Sequence, residues 1–387
     1  MRAAIVWIGL FLGITLLQIG NGLQSTIVGL RTVDAGFDPV EIGIVMSAFY
    51  FGYAFGALGA VRMIGVSGHI WVFIALAIVA ALAALVYPFL VQPIVWAGIR
   101  VVIGFALSAI YVTVESWIND QTGNESRGGV FGLYMLGQLL GLAGGQFLVP
   151  YFSPLSVEAF ILVAILMAGS IVPVVLVRPP PPSAEPPRPM GLLSLFRISP
   201  LGFAACLVSG LVWAALMGGG PIYAAKSHFS SDEAATFIAS AVIGGIIFQY
   251  PLGWLSDKLD RRVVLVLIVI AATMTALMGV GASLFGAFGA SATIWLFGGL
   301  SFPLYSIAVA HTNDHLQPEE RVAASAGLVL LFGLGSVFGP AAVSLIIEKY
   351  GSVGFFLLLA GANAALFVFA LLRVIVNPRG RTRPVEQ

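Results

Sequence analysis

Apolar residues fill this chain in long blocks separated by short polar stretches. Twelve blocks reach the ~20 mostly apolar residues that one helix needs to cross a bilayer. They lie near 4–30, 41–62, 69–88, 94–117, 128–150 and 157–177, then near 200–224, 233–255, 262–282, 289–311, 322–346 and 353–374. The pattern predicts an all-α membrane protein with twelve transmembrane helices. Residues 178–199, RPPPPSAEPPRPMGLLSLFRIS, divide the series six and six. Proline cannot continue a helix there and favours an extended spacer. The expected domains are a first six-helix bundle over 1–177, a linker over 178–199, and a second bundle with a short tail over 200–387. The first block carries Gln18, Asn21 and Gln24. It is too long and polar for a cleaved leader and reads as a retained helix.

The two halves also share a register. Tyr111, Asn119, Asp120, Glu125, Arg127, Leu140, Gly141 and Gly145 recur 194 positions later as Tyr305, Asn313, Asp314, Glu319, Arg321, Leu334, Gly335 and Gly339. Polar identities repeated across loops of so apolar a chain point to a duplicated unit. Paired homologous halves in a bilayer suggest transport by movement of one half against the other.

Composition narrows the compartment. Of 387 residues 59% are hydrophobic and only 9% charged, against about 25% charged in soluble domains. Lipid must therefore be the solvent for most of the surface. A net charge of +1 gives no reason to expect nucleic acid. The one cysteine, Cys206, sits in an apolar block, so neither an intrachain disulfide nor a thiolate metal cluster is expected. Positive residues collect on cytoplasmic loops. With both termini inside, the 18 Lys and Arg leave only Arg31, Lys226 and Lys349 outside, with Arg100 within the fourth block.

The stretch Gly253-Trp-Leu-Ser-Asp257-Lys258-Leu-Asp260-Arg261-Arg262 joins the eighth and ninth blocks. It resembles the signature loop of the major facilitator superfamily, Gly-x-Leu-x-Asp-Arg-x-Gly-Arg-Arg, with Asp260 in place of the usual glycine. Arg100 and Gly104 resemble that family's second motif, and Glu115-Ser-Trp117-Ile-Asn119-Asp120 is similar to its YcaD-like bacterial branch. The resemblance implies two pseudo-symmetric six-helix bundles that expose a shared cavity to either side in turn. It also implies a latch in which Asp257 addresses the start of the fifth helix or Arg127, while Lys258, Arg261 and Arg262 meet Asp120 or Glu125. The plainer alternative is that this cluster only enforces topology. Shifted back by 194, Gly253, Asp257, Arg261 and Arg262 fall on Gly59, Met63, Ser67 and Gly68, so the first half has lost the acid and both arginines. The glycine-rich fifth helix, Gly137 to Gly145, lacks the proline of the antiporter motif, which stands instead at Pro340.

Polar residues within the blocks are the candidates for a cavity. Charge in the hydrocarbon region is costly and marks a partner or a pathway, which singles out Arg100 as an anion attractor or an inter-helix tether. Gln18, Asn21 and Gln24 share one broad face of the first helix, where amides can both donate and accept. Gln138, Gln249 and Tyr305 are the further lining candidates. Glu115 and His311, near matching helix ends, are candidates for proton handling or simple gate residues. The Gly218-Gly-Gly-Pro221 stretch suits an external gate or close packing.

The expected function is secondary transport of a small solute across the bacterial inner membrane. Proton coupling and facilitative uniport both stay open, and a non-transporting sensor is the alternative on the same fold. No cofactor, metal site or catalytic residue is expected. His311, Asp314 and His315 lack a Glu-x-x-His frame, and no phosphate-binding Gly-Lys-Ser/Thr loop is present. The expected partners are the solute, the lipid bilayer and protons, and the expected state is a monomer.

Overall fold

The computed structural model describes residues 2–121, 127–153, 156–177, 190–282 and 285–376. The described residues form helices and connections. The first half contains α1 (Arg2–Asp34), α2 (Pro39–Ser67), α3 (His69–Val86), α4 (Pro93–Gln121), α5 (Arg127–Gln146), α6 (Glu158–Gly169) and α7 (Ile171–Val177). A short helix, α8 (Leu192–Ile198), precedes α9 (Pro200–Lys226), α10 (Ser231–Lys258), α11 (Arg261–Ala282), α12 (Gly286–Asn313), α13 (Pro318–Tyr350) and α14 (Val353–Val376). Twelve of the described segments are long and apolar enough to cross a membrane, with α6 and α7 together making the sixth. The chain divides into two compact units, residues 1–186 with 224–239 and residues 187–223 with 240–387.

Within the first unit the tightest helix pairs are α2 with α4 and α1 with α5. Glycine makes both approaches possible. A Cβ on Gly52 or Gly56 would run into the carbonyl of Val101 or Phe105, and one on Gly104 into the carbonyl of Phe49. On the α1–α5 seam Gly141 faces Thr15 and Gln18, and Gly145 faces Ile19 and Leu23. Such small-residue seams bring backbones close where lipid supplies no hydrophobic drive between helices.

The second unit repeats most of these seams, although Phe248 stands where the first has Gly56. Gly244 meets Trp295 as Gly52 meets Val101, and Gly298 meets Ala241 as Gly104 meets Phe49. Gly335 and Gly339 of α13 meet Leu207 and Leu211 of α9 as Gly141 and Gly145 meet Thr15 and Ile19. The helix starts repeat too. Asp38 and Glu41 exchange backbone-to-carboxylate bonds of 2.8 and 2.9 Å at the start of α2. Ser230 and Glu233 do the same at the start of α10, at 3.2 and 2.8 Å.

These pairs correct the register read from the sequence. The fourth and fifth helices keep the offset of 194, but Phe49–Ala241 and Gly52–Gly244 are 192 apart. Gly253, Asp257, Arg261 and Arg262 therefore match Val61, Gly65, His69 and Ile70. The glycine is not retained in the first half, and the acid and both arginines remain absent. The two-residue difference arises between the start of α3 and the start of α4, a stretch in which α3, at 18 residues, and α11, at 22, differ in length.

The end of the expected linker is structured. Leu195 of α8 is buried in the core of the second unit, against the α-carbon of Gly327 in α13. Of the Gly218–Gly220 stretch, Gly219 packs on the Val343 side chain with no room for a methyl group. Close packing thus accounts for that glycine.

Gly104→Val and Gly298→Val should each lower stability by about 1–3 kcal/mol through overpacking. Gly281→Ala, which opens onto free space, should not lower it. Unfolding in mixed detergent followed by circular dichroism reads the difference.

Candidate functional site

The first unit holds a polar hub built on Gln18. Its Oε1 accepts the Tyr111 hydroxyl at 2.7 Å and the Asn21 amide at 3.1 Å. Its Nε2 donates to Gln138 Oε1 at 3.1 Å. Three helices, α1, α4 and α5, are joined through one amide that sits at the glycine seam of α1 and α5. Gln138 is part-buried, so the hub is not sealed away. Gln24 does not join it. That side chain is fully buried, with neither end of its amide hydrogen-bonded. A second tie, unforeseen in the sequence, lies along the same seam. Thr26 donates to Gln146 Oε1 at 2.7 Å, and Gln146 Nε2 donates to the Gly22 carbonyl at 3.1 Å.

Arg100 lies apart from the hub and is 1% exposed. Its guanidinium sits 4.9 Å from the centre of the Phe49 ring, with one nitrogen 3.7 Å from Met46 Sδ. Nε has no hydrogen-bond partner. The charge is thus held by a ring face and a thioether, with no carboxylate salt bridge among the described residues. Glu115, further along α4, accepts the Tyr134 hydroxyl of α5 at 3.3 Å. The sequence reading overlooked Tyr134, which is fully buried.

In the second unit the signature residues organise one connection. Arg261 bridges Asp257 at 2.8 Å and Asp314 at 2.9 Å, and it also donates to Ser256 Oγ at 3.1 Å. Ser256 in turn donates to the Gly253 carbonyl at 2.8 Å. Arg262 pairs with Asp260 at 2.8 Å, and its backbone N–H donates to the same carboxylate at 2.9 Å. Those bonds hold the Asp260 carboxyl below the ordinary carboxylate range, against a smaller opposing effect of burial. Lys258 is exposed. His311 is 6% exposed, with its ring 4.8 Å from that of His315. The described partners of the arginines thus lie within their own unit. Of the residues expected to meet them from the first half, Glu125 and the side chains of Asp120 and Arg127 lie outside the described residues.

A cleft opens in the second unit at the positions equivalent to the hub. By the offsets of the two seams, Gln18, Asn21, Tyr111 and Gln138 match Gly210, Trp213, Tyr305 and Phe332. Trp213, Tyr305 and Phe332, with Phe302, line a small concavity with room for about one water, whose other walls are Ser209, Val212 and Ser301. The Tyr305 and Phe332 rings are 5.0 Å apart and the Trp213 and Phe302 rings 4.6 Å apart. Of these residues only Tyr305 was foreseen. Trp213 and Phe332 became visible once the register was corrected, because aromatic residues in apolar helices carry no signal of their own. Gln249 lies elsewhere and donates to Ser306 Oγ at 2.9 Å.

The sequence model of the Major Facilitator Superfamily matches residues 10–311 and, in a second overlapping match, 226–387. An "Uncharacterized MFS-type transporter" of Yersinia pestis (strain Pestoides F) is 27% identical over 369 residues, which is 94% of each chain. An "Uncharacterized MFS-type transporter YcaD" of Escherichia fergusonii is 25% identical over 378 residues, 96% of each. Among solved structures, the nucleoside transporter NupG aligns with a TM-score of 0.78 at 16% identity, covering 95% of this chain and 98% of its own. A bacterial homolog of the human lysosomal transporter Spinster, inward-facing and unoccupied, aligns at 0.70 and 16% identity, over 97% and 95%. The fold is therefore that of these transporters.

Gln18→Leu should cost about 2 kcal/mol, since it strands the Tyr111 donor and both amide partners. Tyr111→Phe, which removes one bond, should cost about 1 kcal/mol; unfolding in SDS ranks the two. The Asp260 contribution should be fully present above the ordinary carboxylate range and should fade as pH falls below about 3.9. The stability gap between wild type and Asp260→Asn, followed across pH, checks that sign.

Proposed function

Because the chain belongs to the Major Facilitator Superfamily and is a membrane transporter, we propose that it moves a small solute across the bacterial inner membrane by rocker-switch alternating access. The amide hub carries this reading. Gln18, Asn21, Tyr111 and Gln138 draw three helices to one point, and each group can exchange a bond within the hub for one to a solute. Such an exchange costs little net energy, which suits a site that must both bind and release. The excess of Lys and Arg on one set of loops supports cytoplasmic termini. A monomer suffices, because two homologous six-helix units supply both moving parts.

Glu115 favours proton coupling over uniport. It is a part-buried carboxylate held by a phenol from the neighbouring helix, and a proton arriving there would replace a charged acceptor with a neutral donor. Asp257 and Arg261 set the shape of the connection between α10 and α11, and that shape biases the outward- and inward-facing states. Arg100 fixes α4 against α2 through Phe49 and Met46.

Proteoliposome counterflow, using a solute found by thermal-shift screening, tests transport itself. Exchange supports a carrier, and binding without exchange would mean a sensor. Glu115→Gln should abolish uptake driven by a pH gradient while sparing counterflow; unchanged gradient-driven uptake would remove the proton from the mechanism. Asp257→Asn should shift the two states by ~1–2 kcal/mol toward inward-facing, seen as altered labelling of cysteines introduced near either end of α9.

A further inference from the structure

The short helix α8 carries a two-edged outer surface that has no part in the repeat or in the polar hub. Its inner side is accounted for, since Leu195 is fully buried in the core of the second unit. On the outer side Leu193 is 63% exposed and Phe196 41% exposed, and Ser194 and Arg197 are exposed as well. At about 100° per residue, Leu193 and Phe196 lie about 60° apart on one edge. Ser194 and Arg197 lie about 60° apart on the other edge, and Leu195 points opposite the midpoint of the set. Arg197 makes no ion pair among the described residues.

Single exposed apolar side chains are common on any protein, so exposure alone identifies no partner. Placement does. Ser199 alone separates α8 from α9. Its N–H donates to the Leu195 carbonyl and its own carbonyl accepts the Phe203 N–H, both at 2.9 Å. That double tie holds α8 at the end of the apolar span Pro200–Lys226. A Cβ on Gly327 would run into Leu195 and the Met190 carbonyl, and Gly327 belongs to the apolar span Gly327–Tyr350 of α13. The helix thus rests against two membrane-entering helices at once. Its apolar edge is the one turned toward them. The Phe196 ring meets the Phe203 ring of α9 edge-on, with centroids 5.4 Å apart.

We propose that α8 lies in the headgroup layer of the adjacent leaflet, with Leu193 and Phe196 among the lipid chains and Ser194 and Arg197 toward phosphate and water. The partner is the phospholipid surface, and the contact joins two chemistries. Each large apolar side chain moved from water into the chain region favours the bound pose by about tenfold or more. A guanidinium at the boundary pairs with phosphate oxygens, and helices with one apolar and one basic edge settle at this depth. Two turns of helix would not persist alone in water. Here the core of the second unit holds one side and lipid holds the other. The pose requires only that α9 and α13 span the bilayer, and it involves neither the solute nor its movement.

Spin labels measure the pose. The chain has one cysteine, Cys206, which is buried, so Cys206→Ala gives a background for labelling. Leu193→Cys, Ser194→Cys, Phe196→Cys and Arg197→Cys are each labelled with a nitroxide in the full chain, in nanodiscs of phosphatidylcholine and phosphatidylglycerol. Oxygen concentrates in lipid and a nickel chelate in water, so the ratio of their collision rates reports depth. That ratio should be at least about threefold higher for the labels replacing Leu193 and Phe196 than for those replacing Ser194 and Arg197. Leu267→Cys, at a side chain 53% exposed on α11, marks the lipid limit. Asp232→Cys, at an exposed position in the first turn of α10, marks the water limit. Nickel-dominated collisions at both apolar positions would put the helix in water and overturn the proposal. Protection of both from either reagent would mean that protein covers the face, and would overturn it equally. Should Phe196→Cys fail to fold, Leu193→Cys against Ser194→Cys carries the test. A carrier and a non-transporting sensor give the same depths, so failure here leaves the carrier reading standing.

Discussion

The fold depends on backbone approaching backbone. In lipid, apolar side chains gain nothing by leaving one apolar neighbour for another, so helices associate through close packing and hydrogen bonds. Gly52, Gly56 and Gly104 supply that approach between α2 and α4, and Gly141 and Gly145 supply it between α1 and α5. The same contacts recur in the second unit through Gly244, Gly298, Gly335 and Gly339. At each of these positions even a methyl group would meet a carbonyl oxygen or a neighbouring backbone atom. They hold the register of the helix pairs, and the polar and aromatic groups near them inherit their positions from that register.

On this shared frame the two units have diverged in chemistry. The Gln18 hub stands where the second unit has Gly210, Trp213, Tyr305 and Phe332. Only the tyrosine is common: Tyr111 donates to an amide, and the Tyr305 ring packs on Phe332. The signature loop shows the same divergence. Arg261 links Asp257 to Asp314, while the first unit has Gly65 and His69 at the equivalent loop positions. His69 bonds instead to Ser116 at 3.2 Å. The two copies thus share a scaffold and differ in the contacts built on it.

Most of the architecture was legible in the sequence because it follows from one solvent. Twelve apolar blocks read directly as twelve spans. The motifs around Asp257 and Arg100 led to the family. The site was less legible. Gln18, Asn21 and Gln138 stood out as amides in apolar helices, but Gln24, equally conspicuous, turns out buried and unbonded. Thr26 with Gln146, and Glu115 with Tyr134, were hidden because each bond joins different helices. Trp213, Phe302 and Phe332 looked like ordinary packing. The offset of 194, valid for α4 and α5, misaligned α2 with α10 by two residues, and only the glycine contacts exposed the slip.

That slip has a mechanical counterpart in α3 and α11. At 1.5 Å per residue, the 18 residues of α3 and 22 of α11 reach about 27 and 33 Å, on either side of the ~30 Å hydrocarbon thickness. The shorter rod falls short of that thickness, while the longer one has length to spare. A thicker or thinner bilayer therefore strains the two copies unequally. Membrane composition becomes a variable that acts on this carrier through hydrophobic mismatch, without any ligand.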